Sequence, residues 1–363
     1  MKKIFKIIAP FTLLFLVQTA FGAEQFVKNK TLQFASKYSE GMYVDLSNQY
    51  GDIEVTSSNT DSIKITVYIE VNAKKEENLQ STLDNIAVDF KSGLGFFTAQ
   101  TRWKENVDFF TKSYYAVKTG VISSDDNLVV NYKIELPIKT ELNINNKFGN
   151  VYLENHEGRM SVSVFHGDFR AKDLKHLKDL EVKFGKVKIN KLENSQMNFT
   201  SVKFADIAQA NSISLNSISS EIEIGTIETL VLDSKHDELD IQNCGELTGQ
   251  SSLSDIKINY LRNNFKIDAK LGSIRVQECQ KTLLKFEVKS YRTDVSIGFS
   301  NDVSASIELL IDDKKYLYTG LGINKLSENP STENQLKMKF EKGSGAFTLI
   351  NIASNNAYIE LGK

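Results

Sequence analysis

A short turn-and-strand pattern recurs along most of the chain and constrains its fold more than any other feature. In each copy a small or polar turn residue precedes alternating apolar and polar residues, as in Phe148-Gly149-Asn150-Val151-Tyr152-Leu153. The turn residues fall at positions 149, 167, 185, 205, 220, 237, 254, 272 and 293, a mean step of 18 residues. Strict alternation indicates strands with one buried face, and a fixed period without a helical pattern indicates a stacked repeat.

The repeat predicts an all-β fold, a β-solenoid (a β-helix-like repeat) with about 18 residues per coil. Each coil is expected to contain two or three short strands joined by arcs, where Gly, Asp, Asn and Ser tolerate unusual backbone angles. The three prolines, Pro10, Pro137 and Pro330, lie outside the repeats, as continuous strand ladders require. An aromatic stack is expected to run inside the coils through Phe148, Phe184 and Phe204, which the pattern places directly before turns.

The first residues have the pattern of a secretory signal. Three lysines, Lys2, Lys3 and Lys6, precede an apolar run over 7–17 that is too short to span a bilayer. Small residues follow at Ala20-Phe21-Gly22, so we expect a signal peptide over residues 1–22, the alternative being an uncleaved N-terminal anchor. No Cys lies near this cleavage site, so the chain is not expected to be a lipoprotein, and no later stretch has the length and hydrophobicity of a transmembrane segment.

The rest of the chain divides into three predicted regions. Residues 23–140 are expected to form a β-rich N-terminal cap that contains one short helix, over 74–86, and an aromatic insert. Residues 141–298 contain the solenoid repeats, and residues 299–363 are expected to form a C-terminal β cap. Caps are needed because an open coil would expose its apolar interior.

Three segments carry a resemblance to a known family. They are Asn48-Gln49-Tyr50-Gly51-Asp52-Ile53-Glu54-Val55, Val130-Asn131-Tyr132-Lys133-Ile134-Glu135-Leu136-Pro137 and Asn146-Lys147-Phe148-Gly149-Asn150-Val151. With the repeats that follow, they resemble the bacterial putative-adhesin family, exported solenoid-like proteins of Bacteroidetes-type bacteria that are also catalogued as a domain of unknown function. The resemblance covers most of the chain after residue 22. It implies a location in the periplasm or at the surface of a Gram-negative bacterium, and it supplies no catalytic residue.

The two cysteines are expected to be reduced and buried. Cys244 and Cys279 occupy the same apolar repeat position with Leu261 between them, so they lie two coils apart. Two strand spacings amount to about 9.5 Å, whereas a disulfide requires Cα atoms within about 7 Å of each other.

No metal or cofactor site is predicted. His166 and His236 share a repeat position but lie four coils apart, which is too far for both to bind the same zinc ion. Acidic residues recur after the turns, and two interpretations remain possible. They form an edge that binds cations, or they lie on a solvated arc where neighbouring lysines neutralise their charge. That acidic set is Asp206, Glu221, Glu238 and Asp255.

Catalytic and nucleic-acid functions are not expected. The chain contains no Gly-x-Ser-x-Gly, His-Glu-x-x-His or phosphate-loop motif, and its acidic residues form no cluster apart from the repeat. The apolar positions do not recur every six residues, as a hexapeptide acyltransferase requires. The formal net charge of −2 falls to about −5 without the three signal lysines, whereas nucleic-acid binding needs a basic surface.

Three functional hypotheses remain. The leading one is a non-catalytic envelope protein whose repetitive surface binds a macromolecule or a glycan. The second is a periplasmic signalling or stress-associated interaction module, and the third is a carbohydrate-active enzyme.

The aromatic insert is the one segment with a distinct candidate contact surface. Polar residues are interleaved with its large aromatic residues, as is typical of contact surfaces. The alternative is that these side chains close the N-terminal end of the coils. The seven residues are Phe96, Phe97, Trp103, Phe109, Phe110, Tyr114 and Tyr115.

The fluorescence of Trp103, the single tryptophan, distinguishes these two interpretations. A cap buries the indole, whereas a binding loop leaves it in water. We expect blue-shifted emission that acrylamide quenches poorly. Red-shifted, easily quenched emission would contradict the cap.

Overall fold

Strands make up most of the computed structural model, which describes residues 26–73, 76–104, 127–331, 335–345 and 348–362. The predicted all-β class is therefore confirmed. The α-helix expected over 74–86 spans Glu76–Asn85 (α1), and its Leu79 and Leu83 are buried. The predicted signal peptide, residues 1–22, lies outside the described residues.

The strands follow one another with little other structure between them. The first nine are β1 (Phe26–Lys37), β2 (Tyr43–Gln49), β3 (Ile53–Ser58), β4 (Ser62–Ala73), β5 (Ile86–Gly93), β6 (Phe96–Trp103), β7 (Asn127–Pro137), β8 (Glu141–Lys147) and β9 (Val151–Leu153). The next seven are β10 (His156–Phe165), β11 (Phe169–Lys183), β12 (Lys186–Thr200), β13 (Phe204–Ile218), β14 (Glu221–Lys235), β15 (Glu238–Cys279) and β16 (Lys285–Phe299). The last six are β17 (Ala305–Ile311), β18 (Leu317–Thr319), β19 (Ile323–Pro330), β20 (Leu336–Lys342), β21 (Thr348–Asn355) and β22 (Ile359–Leu361), and a 3₁₀-helix spans Lys314–Tyr316.

Successive strands from β10 to β16 pair in parallel, each with the next. The register offset is 18 residues between β10 and β11, as in Val162 opposite Leu180. It is 17 between β13 and β14 and between β14 and β15, and 21 between β15 and β16. Each strand therefore stacks on the equivalent part of the preceding one.

Antiparallel strands occur at both ends of this parallel stack. Before it, β1 pairs with β4, β4 with β7 and β5 with β6, while β2 and β3 pair in parallel with β8 and β9. After it, β16 pairs in parallel with β21 and β22, and β20 pairs antiparallel with β17 and β19. The 22 strands belong to one hydrogen-bonded sheet.

Residues with left-handed backbone geometry bend the chain, and from Phe148 to Arg292 they recur every 17–21 residues. These residues have φ between 51° and 65° and are Tyr50, Phe148, His166, Phe184, Ser201, Ser219, His236, Leu253, Leu271 and Arg292. The residue that follows the bend lies where neighbouring backbones approach closely. A Cβ added to Gly185 would be 1.8 Å from the carbonyl oxygen of Gly167, so only glycine fits there.

Two details of the predicted stack are wrong. The bend between β12 and β13 is at Ser201, not at Phe204, which pairs with Lys186. The ring of Phe184 is 44% exposed and stacks on the His166 ring with centroids 4.7 Å apart, so it lies outside the coil. The reason is that left-handed geometry turns the side chain of the bend residue away from the core.

The two cysteines are free and buried, as predicted. Burial raises the pKa of the Cys244 thiol to about 12 and raises that of Cys279 further. Both thiols are therefore unreactive at neutral pH.

Asp237 is the central buried polar residue of the stack. Its Oδ1 accepts hydrogen bonds from Ser217 Oγ (3.1 Å) and Ser220 N (2.8 Å). Its Oδ2 accepts from Ser234 Oγ (2.7 Å) and Lys235 N (3.0 Å). The sequence analysis placed this residue on an arc, but four donors from its own and the preceding coil hold it inside.

The left-handed bend predicts opposite effects for two serine-to-glycine substitutions. Ser219 has φ 57°, so Ser219→Gly removes the strain of a β-carbon in that conformation and should stabilise by about 0.5–1 kcal/mol. Ser214, exposed within β13, is the matched control, and Ser214→Gly should destabilise by a similar amount. Midpoints of urea unfolding measure both changes, and equal shifts would contradict the role of the bend.

Replacing Asp237 should destabilise the stack strongly. Asp237→Ala leaves four donors without an acceptor in a buried site, so we expect a loss of about 3 kcal/mol. Asp268→Ala, at an exposed position, should cost less than about 0.5 kcal/mol. Urea unfolding of the two variants compares them, and similar costs would show that the hydrogen bonds to Asp237 contribute little.

Candidate functional site

The structure describes three of the seven predicted contact residues, Phe96, Phe97 and Trp103, and these three do not form one exposed surface. Phe97 is fully buried, with its ring centroid 5.6 Å from that of Phe34, so it is not available to a partner. Trp103, at the end of β6, is half-buried against the core. Phe96 is half-buried on the outer side of β6, 6.4 Å from the Tyr43 ring. Phe109, Phe110, Tyr114 and Tyr115 lie outside the described residues.

Phe96 borders a depression of about 470 Å³ on the outer side of β2, β6 and β8. Except for Tyr43 and Ala99, polar side chains line the rest of it, and the Asn143 amide donates a hydrogen bond to Asp45 Oδ1 (3.1 Å). An aromatic ring beside amide and carboxylate groups is a typical composition for a polar ligand site. Its lining residues are Tyr43, Asp45, Ser47, Lys91, Phe96, Thr98, Ala99, Gln100, Asn143 and Asn145.

The same sheet face continues along the parallel stack as a row of hydrogen-bonding side chains, here called the open-face row. It consists of Asn145, Ser163, Glu181, Asn198, Asn216, Asp233, Gln250 and Asp268. The strand registers pair the first seven of these in succession, one from each coil. Gln250 and Asp268 line one depression together. Neighbouring members are therefore one strand spacing apart, about 4.8 Å.

Four depressions lie along this face and share members of the row. Asn145 belongs both to the 470 Å³ depression and to a second one of about 210 Å³. Asp268 belongs both to a third, of about 440 Å³, and to a fourth, of about 380 Å³. The first three members of the row therefore lie along one pair of open depressions and the last five along another, rather than in one enclosed pocket.

The polar groups in the middle of the row are available for a ligand. Gln250 Nε2 donates to Asp233 Oδ2 (2.8 Å), and Ser163 Oγ donates weakly to Glu181 Oε2 (3.3 Å). The amides of Asn198 and Asn216 form no hydrogen bond with another residue that the structure describes, and Asn216 is exposed. An amide group offers both donors and an acceptor.

A column of stacked rings borders one side of the row. The rings of Tyr50, Phe148, His166 and Phe184 lie nearly parallel, with centroids 4.7–5.3 Å apart. Phe165 packs edge-on against His166 (4.4 Å) and lines the 210 Å³ depression. The left-handed bends align these rings because each bend residue stacks directly on the previous one.

The acidic residues after the bends align only in part as predicted. Glu221 pairs with Glu238 as expected, but Asp206 lies beside Glu223 rather than Glu221, and Glu223 in turn lies beside Asp240. Lys188 pairs with Asp206 (2.9 Å) at one end of this column, and Lys257 pairs with Asp240 at the other. In the described part of the chain, no group of three or more His, Cys, Asp or Glu side chains has a geometry that could hold a metal ion.

Buried polar groups beneath the first depression fix its strands. Thr101 Oγ1 donates to Asn48 Oδ1 (2.8 Å) and lies 2.7 Å from the Tyr132 hydroxyl. Asn48 Nδ2 donates to the carbonyl oxygens of Gly51 and Val130. Burial raises the pKa of Tyr132 far above its ordinary value. This network joins β2, β6 and β7, and the sequence analysis missed it because the residues are far apart in the chain.

No family model and no curated protein matches the chain. Among solved structures, it is similar to a putative lipid binding protein from Parabacteroides distasonis, with 16% identity, a TM-score of 0.30, and coverage of 75% of this chain and 92% of that one. It is also similar to a putative adhesin from Bacteroides fragilis, with 14% identity, a TM-score of 0.28 and coverage of 75% and 97%. A putative cell adhesion protein from Clostridium sporogenes has 9% identity, a TM-score of 0.18 and coverage of 92% and 99%.

The predicted resemblance is confirmed in that solved structures named as putative adhesins of Bacteroidetes are neighbours of this chain. At these identities and TM-scores, the likeness carries no ligand and no activity to this chain. Within the described ranges, no helix is both long enough and apolar enough to cross a membrane.

Proposed function

We propose that the chain is a non-catalytic binding protein of the cell envelope that holds an extended neutral glycan along the open-face row. The observation that carries this proposal is the succession of hydrogen-bonding side chains from Asn145 to Asp268, one per coil, along one sheet face with shallow depressions. Their spacing of about 4.8 Å is close to the length of one sugar unit in an extended glycan.

The proposal treats the parallel stack as a β-solenoid with about 18 residues per coil. Register offsets of 17 and 18 between successive strands support this reading, and so do the bends that recur at the same place in each repeat. A solenoid suits a polymer ligand because each coil presents the same kind of contact at a regular interval.

Export to the envelope is part of the proposal. It is supported by the basic and apolar pattern over residues 1–22, which favours the periplasm or the cell surface without a lipid anchor. The names of the similar structures, adhesin and lipid binding protein, agree with a binding role. Turnover is not proposed, because the polar groups of the row are spread along the sheet rather than converging on one reacting atom.

Two asparagines in the middle of the row provide the test. Asn198→Ala combined with Asn216→Ala removes free amides from adjacent coils and should weaken binding about tenfold, as expected for two lost hydrogen bonds. The matched control is Asn190→Ala with Asn211→Ala, exposed positions on the same two strands but outside the row. Affinity gel electrophoresis against a panel of neutral polysaccharides gives the dissociation constants.

The expected result is retardation of the unmodified chain by at least one polysaccharide, weakened only in the Asn198 and Asn216 double variant. No retardation by any polysaccharide, or equal weakening in both double variants, would overturn the proposal. Release of reducing ends during the same incubation would instead support the carbohydrate-active enzyme.

A further inference from the structure

A fifth depression, of about 650 Å³, lies between the segment that joins β7 to β8 and strands β10, β11 and β12. It shares no lining residue with the open-face row. Its lining residues are Lys139, Glu157, Gly158, Arg159, Lys175, His176, Leu177, Lys178 and Asn194. We call it the basic pocket.

The charge of the basic pocket is opposite to that of the chain. Four cationic side chains and one carboxylate line it, whereas the whole sequence has a formal net charge of −2. The single carboxylate, Glu157, accepts a hydrogen bond from Lys175 Nζ (2.6 Å), which lowers the pKa of Glu157. Arg159 and Lys139 form no ion pair with any residue that the structure describes, and Lys139 lies close enough to Glu157 to contribute to the lowered pKa of that carboxyl.

The floor of the pocket is closely packed. A Cβ added to Gly158 would lie 2.0 Å from the Thr140 carbonyl oxygen, so a glycine is required for β10 to pass this close. Beneath it, buried His156 forms hydrogen bonds through Nδ1 to Ser57 Oγ and through Nε2 to the Thr140 carbonyl, both 2.8 Å. Burial lowers the pKa of His156, so the floor stays neutral while the rim is cationic.

From this geometry we propose that the basic pocket binds the phosphate group of an anionic ligand. A guanidinium can donate two parallel hydrogen bonds to a phosphate, and ammonium groups add point charges around it. Arg159 is therefore the primary ligand and Lys139 supplies further positive charge, whereas Lys175 and Lys178 are already paired with Glu157 and Asp179. The phosphate group is common to two sources, a free phosphate compound and an anionic lipid headgroup.

This site is independent of the proposed glycan function. A neutral polysaccharide has no anionic group for Arg159, and a phosphate would be repelled by Glu181, Asp233 and Asp268 in the open-face row. Failure of one proposal therefore leaves the other standing.

The test uses the full chain with Arg159→Ser and Lys139→Ser combined. The matched control, Lys186→Ser with Arg275→Ser, removes the same charge from exposed residues that form no ion pair with a described residue. Calorimetric titration with inorganic phosphate and with pyrophosphate tests whether the pocket binds a free phosphate compound. Co-flotation with phosphatidylcholine vesicles, with and without phosphatidylglycerol, probes the lipid source.

We expect the pocket variant to bind its phosphate probe at least about tenfold more weakly than the unmodified chain, and the control to change less than about twofold. Circular dichroism spectra and unfolding midpoints of the two variants should agree, because all four positions are exposed. Binding of phosphate or pyrophosphate in the titration, without co-flotation, would identify a free phosphate compound as the ligand. Co-flotation only with vesicles that contain phosphatidylglycerol would identify an anionic lipid headgroup. The proposal would be overturned if the unmodified chain bound no phosphate probe and no vesicle, or if the pocket variant and the control variant lost binding equally.

Discussion

The left-handed bend that recurs from Phe148 to Arg292 is the constraint on which the rest of the structure depends. The backbone N–H of each bend residue from Tyr50 to His236 donates to a carbonyl of the segment stacked on it, as His166 N does to Lys183 O (2.9 Å) and Ser201 N to Ile218 O (2.9 Å). The bends are therefore part of the hydrogen-bonded ladder and cannot move independently. This bonding offsets the cost of positive φ at residues other than glycine, which is about 1–2 kcal/mol each.

Fixed bends keep the strands in register over coils of unequal length. Between β14 and β15 the offset is 17 residues along the whole pairing, from Glu221 and Glu238 to Lys235 and Ser252, and the bends at Ser219 and His236 align at the same offset. The position after the bend changes character along the stack: glycine allows close backbone contact at Gly185, whereas buried hydrogen bonds fill the space at Ser220 and Asp237. Both solutions avoid an unbonded buried polar group at the position after the bend, where neighbouring backbones approach closely.

The two proposed sites follow from the same geometry. Parallel registers place one outward side chain of each coil directly on the previous one, so the open-face row is long and regular. The basic pocket is instead a single feature, because it depends on the close crossing of Gly158 over Thr140 at one end of the stack. A regular face suits a polymer, and a local cluster of cations suits a compact anion.

The sequence by itself determined the all-β class, the helix near 76–85, and the buried, free state of Cys244 and Cys279, because alternation and apolar spacing are local signals. It did not determine that Ser201 forms a bend or that Phe184 lies outside, since similar motifs occur at Phe204 and a small change in coil length shifts every alignment. With the bends at their true positions, Asn198, Asn216 and Asp233 could have been aligned from the sequence. The buried state of Asp237 and the cation cluster around Arg159 were decided only by the tertiary structure, because their partners lie on other coils whose register the backbone bends set.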